Sequence, residues 1–347
     1  MPFLNDTEFA KSIREGTLAP IYFLYGKESF LAEGYFKKLI EKAVPKGTEA
    51  FNFHQFDGAE PDMVSIRVEA EAMPLMAQKK CVVLRNPNIE KMAKDDFDAL
   101  LEIAEDPNPT TIFIIFVSNY ELDAKKNARV KKLADIVAKN GITVDFSPKT
   151  SGELAKIIKQ RVEKAGCTID NTVAYYLIER CGGALEQLTI EVDKLTSYRP
   201  ESAITKKDVE DVTGISLESS VFDLAKSLMR NDFNRAFRIL DELFIARQEP
   251  IAILGVLNMT FVDLYRAKVA MLGSKTAEDV CKLFPYKGKE FRIRNAMRDV
   301  PKYSVNTLRR CLMILTDADI ALKTTKNDGR ITVEKVLSSI LQEINKK

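Results

Sequence analysis

The sequence has a single histidine, His54, and no CxxC pair among its cysteines. The first scarcity excludes most His-based acid–base and nucleophilic chemistry, because one residue would have to carry all of it. No Ser or Cys lies in a recognisable nucleophile motif either. His54 falls in FNFHQFDG, whose alternation makes it a strand-face residue. With no CxxC pair, neither a zinc site nor a disulfide framework is suggested. Cys81, Cys167, Cys181, Cys281 and Cys311 are odd in number and scattered, and read as reduced thiols, mostly in cores. No apolar run is read as long enough to cross a membrane. MPFLNDTEFAKSI lacks the charged start and apolar stretch of a signal peptide, so a cytoplasmic chain without membrane contact is expected. Net charge is only +2, from 52 Lys and Arg against 50 Asp and Glu, so the chain as a whole is no electrostatic glove for DNA. Any nucleic-acid contact must come from local clusters.

What is present suits a globular chain. At 347 residues, 46% of them hydrophobic, there is room for two or three domains with their own cores. Residues 1 to about 146 alternate strands (21–25, 51–56, 81–84, 112–117, 142–146) with helical patterns near 29–43, 62–72, 95–104 and 125–139. Continuous apolar strands such as IFIIFV need cover on both faces, which predicts a doubly wound parallel sheet. Residues 150–214 read as a small helical unit. Thr150 with Glu153, and Thr205 with Asp208, have N-cap spacing, and Asp170 is placed to cap the helix between them. After Gly214 no further strand is convincing. Asp232 opens one helix, Pro250 sits in the first turn of a long one, and helices near 305–323 and 332–345 finish the chain.

The stretch IYFLYGKESFL raises a specific question, because a strand, Gly26-Lys27 and a helix are half of a phosphate-binding loop. The full motif needs a first glycine five residues before the Gly-Lys pair and a Ser or Thr after it for magnesium. Those positions hold Ile21 and Glu28. An ATPase also needs an acidic strand end to hold magnesium. CVVL is followed by Arg85-Asn86 and IFIIFV by Ser118-Asn119. The local reading is a glycine turn followed by an exposed Lys-Glu, with no cofactor and no catalytic residue.

Two other features stand out. In Ala72-Met73-Pro74-Leu75-Met76, Pro74 ends the preceding helix and leaves Leu75 and Met76 in a short connection. From the residues alone these are either core plugs or a protruding contact, and the plug is favoured. Two basic clusters are candidates for phosphate contact: Lys125, Lys126, Arg129, Lys131 and Lys132, and then Lys287, Lys289, Arg292, Arg294 and Arg298. A solvated face is the bland alternative for both. Phe291, inside the second cluster, reads better as a helix anchor than as a base-stacking residue.

The order of these parts, with YFLYGKESFLAE, AEAMPLMAQKKCVVLRN, ITKKDVEDVTG and DADIALKTTKNDGRITVEKVL, resembles the delta subunit of the bacterial DNA polymerase III clamp loader. The likeness covers nearly the whole chain. It implies an AAA+-like α/β domain lacking a P-loop (1–147), a three-helix lid (148–214) and an all-α C-terminal collar that oligomerises (215–347). It implies a non-catalytic subunit of the polymerase holoenzyme that binds and opens the ring-shaped sliding clamp. The implied partners are that clamp (the beta subunit), gamma/tau and delta prime subunits in a hetero-pentameric ring, and primer–template DNA. The clamp contact carries over to Leu75 and Met76 on a short helix, flanked by Met73 and Pro74. The family commonly has an aromatic residue where this chain has Met76, and methionine's flexible side chain can still fill an apolar pocket. The resemblance turns Leu75 and Met76 from plug to contact. It makes Lys125, Lys126, Arg129, Lys287, Lys289 and Arg292 the candidate DNA-phosphate residues. The rival readings are an ATP-hydrolysing clamp or helicase loader and an adaptor unrelated to DNA.

Overall fold

The computed structural model describes residues 3–16, 18–44, 46–122, 124, 126–287, 289–324 and 328–346. The chain separates into two units, Met1–Pro148 and Lys149–Lys347.

The first unit runs β1 (Phe3–Leu4), α1 (Asp6–Glu15), β2 (Ile21–Tyr25), α2 (Ser29–Ala43), α3 (Glu49–Asn52), β3 (Phe53–Asp57), α4 (Met63–Glu71), β4 (Lys80–Arg85), α5 (Lys94–Glu105), β5 (Thr111–Phe116), α6 (Ala128–Asn140) and β6 (Ile142–Asp145). Its six strands make one parallel sheet in the order β1-β6-β2-β5-β4-β3. Side chains alternate across the pleat, and both faces are apolar, so both need helices. Ile21, Phe23, Val82, Leu84, Phe113 and Ile115 face α4, α5 and α6. Tyr22, Leu24, Val83, Ile114 and Phe116 face Phe9 of α1 and Phe36 and Leu39 of α2. This is the doubly wound sheet that the apolar strands predict.

Two local differences have clear causes. The alternation in FNFHQF predicts a strand from residue 51, but Phe51 and Asn52 donate their backbone N–H groups to Thr48 O and close a helical turn first. A four-residue turn is too short to show a helical period. Helix α6 begins at Ala128 rather than near 125, because Asn127 accepts from Arg129 N and Val130 N and fixes the start.

The second unit runs α7 (Ser151–Lys164), β7 (Thr168–Ile169), α8 (Asn171–Cys181), α9 (Leu185–Tyr198), β8 (Ala203–Ile204), α10 (Lys206–Val212), α11 (Leu217–Met229), α12 (Phe233–Ile245), α13 (Pro250–Leu272), α14 (Ala277–Leu283), α15 (Glu290–Asp299), α16 (Val305–Thr324) and α17 (Gly329–Asn345). Both expected capping boxes form, at Thr150/Glu153 and Thr205/Asp208. Asp170 occupies its cap position without a side-chain cap hydrogen bond.

Helix α13 corrects the sequence reading on one point: by length and composition alone it is long and apolar enough to cross a membrane. It is instead a core helix, burying Ile253, Leu257, Phe261 and Leu264 against neighbours such as Leu224, Ile293, Leu315 and Leu337. Among the described residues the five cysteines are free, four of them buried. Burial pushes the Cys81 and Cys311 thiols up to about 12, which suits inert core residues.

Candidate functional site

The crevice at the carboxyl ends of β2 and β5 is the place where a doubly wound sheet would hold a nucleotide, because connections leave these neighbouring strands over opposite faces. Here it is closed by the chain itself. Gly26 has φ of +138°, and a Cβ added there would lie 2.5 Å from the carbonyl oxygen of Phe146. Phe146 N donates to Tyr25 O at 2.7 Å, and Glu28 N donates to Phe146 O at 2.9 Å. The Glu28 amide, at the turn where a phosphate loop would offer donors, is therefore already satisfied. Lys27 pairs with Glu121 at 2.5 Å. Arg85, at the end of β4, donates to Glu33 of α2 at 2.5 Å, and Ser118 Oγ donates to the same carboxylate at 3.0 Å. The Arg85 guanidinium also lies over the Phe36 and Phe116 rings, at 5.5 and 5.4 Å from their centroids. A cation here is matched by a carboxylate and two ring faces.

The Leu75–Met76 segment lies between α4 and β4. It forms a series of bends rather than the short helix that the resemblance implies. Pro74 and the left-handed backbone of Met76, with φ of +55°, interrupt helical geometry on either side of Leu75. Met73, Leu75 and Met76 are 76%, 52% and 90% exposed, so none of them plugs a core. The base of the turn is tied down. Asn52, fully buried, donates from Nδ2 to Leu75 O at 2.8 Å and accepts from Leu75 N at 2.9 Å. Thr111 Oγ1 donates to Ala70 O, and Asn108 Nδ2 donates to Glu71 O, fixing the end of α4. Lys80, buried at the start of β4, pairs with Glu69 at 2.8 Å. That hydrogen bond is the main reason the Glu69 carboxyl sits below its ordinary value. His54 Nε2 lies 3.4 Å from Glu69 as well.

The basic clusters fare unevenly. Lys125 lies outside the described residues. Lys126, Lys131 and Lys132 are exposed. Arg129 instead donates to Met92 O at 2.5 Å and lies over the Phe97 ring. In the second unit Lys287 and Arg294 are exposed, while Lys289 pairs with Glu218 at 2.7 Å. Arg292 turns inward onto Asp263, a carboxylate buried on α13, with Nη2 at 2.7 Å and Nε at 2.9 Å. The Tyr286 hydroxyl donates to the same carboxylate, and burial pushes that hydroxyl up to about 12, so it stays a donor. The surface reading of Arg292 is therefore corrected: its charge neutralises a core aspartate. Sequence reasoning also missed Asn52 and Glu69, because their roles depend on residues 23 and 11 positions away.

Comparison with known proteins places the whole arrangement. The family described as DNA polymerase III, delta subunit matches residues 22–143, and its C-terminal domain matches residues 218–340. The chain is 25% identical over 346 residues to the DNA polymerase III subunit delta of Bacillus subtilis, covering 97% of both chains. It is 22% identical to the probable DNA polymerase III subunit delta of Aquifex aeolicus, over 72% of this chain and 70% of that one. The solved structure of the Bacillus subtilis DNA clamp loader delta protein superposes with a TM-score of 0.67 at 23% identity, covering 97% of this chain and 99% of that one, and so shares the fold. With both family regions matched in order across well over half of its length, the chain belongs to the DNA polymerase III delta-subunit family.

Proposed function

We propose that this chain is the non-catalytic clamp-loader subunit that binds the ring-shaped sliding clamp and helps to open it for loading onto primed DNA. The observation that carries the reading is the exposed Leu75–Met76 pair on a turn with a fixed base. Apolar side chains at 52% and 90% exposure beside Met73 form a small anchor of the kind that fills a partner's pocket. The closed crevice supports a subunit that is driven rather than driving. ATP bound by partner subunits of the gamma/tau type would favour a state in which the turn is free, and clamp binding would then stabilise the opened ring. Such coupling requires a difference in affinity between states and no chemistry in this chain. The second unit is the part proposed to join the other loader subunits, delta prime among them. Phosphate contact with primer–template DNA is proposed for the exposed Lys131, Lys132 and Lys287, and not for Arg129, Lys289 or Arg292, each of which is bonded to a group of this chain.

The test is Leu75→Ser with Met76→Ser, titrated against purified clamp. Each side chain contributes roughly 1.5–3 kcal/mol when buried in a partner. Losing both should weaken binding about a hundredfold or more. Both side chains are exposed, so the melting temperature should barely move. Unchanged clamp affinity in this folded variant would remove the turn from the interface.

A further inference from the structure

We propose that Asn52 is the positioning residue of the contact turn: its amide holds the Leu75 peptide so that Leu75 and Met76 are presented in a ready-made conformation. The proposal rests on the reading of that turn as the clamp contact.

Three observations carry it. The first is the match of groups. Both polar ends of the Asn52 side chain meet both polar groups of Leu75, at 2.8 and 2.9 Å, across 23 positions of sequence. A side-chain amide paired in this way copies one rung of a strand ladder and fixes both the place and the orientation of the peptide. The second is burial. Asn52 is fully buried, while Leu75, whose peptide it holds, is 52% exposed. The clasp therefore joins a rigid interior to a protruding side chain. An amide withdrawn from water must be hydrogen-bonded or it is costly, so the buried half cannot simply let go. The third is strain. Met76 follows directly, with φ of +55° and no glycine's freedom to adopt it. A strained tip persists only where its surroundings hold it, and the Leu75 peptide is the last fixed point before it. Without the clasp the segment would relax into many conformers, and only a fraction would be competent to bind.

Apparent affinity falls in proportion to that competent fraction. If Asn52→Ala leaves about a tenth of the turn competent, clamp binding weakens about tenfold. The experiment is a double-mutant cycle on the full chain with purified clamp. It compares Asn52→Ala, Leu75→Ser with Met76→Ser, and the triple variant, with amide exchange at Leu75 followed in the free proteins. The expected result is faster exchange at Leu75, about tenfold weaker binding for Asn52→Ala, and no further loss in the triple variant. If Asn52→Ala folds poorly, Asn52→Ser, which keeps one polar group, is expected to fall between it and the parent. Parental affinity in Asn52→Ala despite faster exchange would overturn the proposal, as would a further loss of about tenfold when Asn52→Ala is added to the Leu75→Ser, Met76→Ser variant. If the Leu75→Ser, Met76→Ser variant binds normally, the contact reading fails instead. If that variant collapses and Asn52→Ala does not, the contact stands and the clasp is ordinary packing.

Discussion

Arg292 and Asp263 face one another because α15 packs against α13, which brings a residue from a visibly basic stretch onto a carboxylate inside an apolar helix. Removing one partner of a buried pair leaves a charge without compensation, typically at about 3 kcal/mol or more. Arg292→Ala should therefore lower the denaturation midpoint substantially, a readout that a phosphate-contacting residue would leave alone. A variant as stable as the parent would return Arg292 to the surface reading. At this scale the sequence is legible where both partners are close neighbours. Thr150 with Glu153 and Thr205 with Asp208 stand three residues apart, and both boxes form. Asn52 is invisible in the same sequence, because nothing near it indicates that residue 75 will fold back onto it. Arg292 misleads for the same reason: its neighbours in sequence are cations, and its neighbour in space is an acid.

Helix α4 and strand β4 hold the Leu75–Met76 turn between them, and Glu69 with Lys80 fastens one to the other. Lys80 is 2% exposed, so the ammonium depends on that carboxylate. Glu69→Gln should destabilise the first unit by about 3 kcal/mol, the low end for a broken buried pair because Glu69 itself is partly solvated. The effect should depend on pH in a definite direction. The folded state holds the Glu69 carboxyl below its ordinary 4.5, chiefly through the hydrogen bond from Lys80. Its contribution is fully present above 4.5 and fades as pH falls through the lower folded value. Parent and variant should thus converge in acid and separate near neutrality in denaturant titrations. A gap that persists unchanged in acid would show that shape rather than charge is at stake. Among elements, the long apolar strands and the helices between them were readable from period alone. The two-residue β1 and the four-residue α3 were not, being shorter than any period. Helix α15 is mostly charged and polar in EFRIRNAMRD, and it buries only Ile293, Asn295 and Ala296, so its apolar stripe is thin.

On the scale of the whole molecule, the order of an α/β part followed by helices was evident from where the strands stop. The proposed partition at residue 214 falls inside the second unit, where Ser151 Oγ donates to Glu290 at 2.7 Å and Asn295 donates to Glu179 at 2.7 Å. Such ties between distant stretches cannot be read from composition. The first unit carries the prediction that belongs to the entire chain. With Gly26 against the Phe146 backbone and Arg85 locked onto Glu33, calorimetric titration with ATP and magnesium should give no saturable heat. Micromolar binding lost on Lys27→Ala would contradict this. The same closed crevice bears on inhibitor selectivity. A purine mimic built for an ATPase nucleotide site would meet the Lys27–Glu121 and Arg85–Glu33 pairs at these strand ends in place of a phosphate loop, and is expected to leave this chain unbound. Under the proposed function, a compound meant for this chain would be aimed at the exposed Leu75–Met76 turn instead.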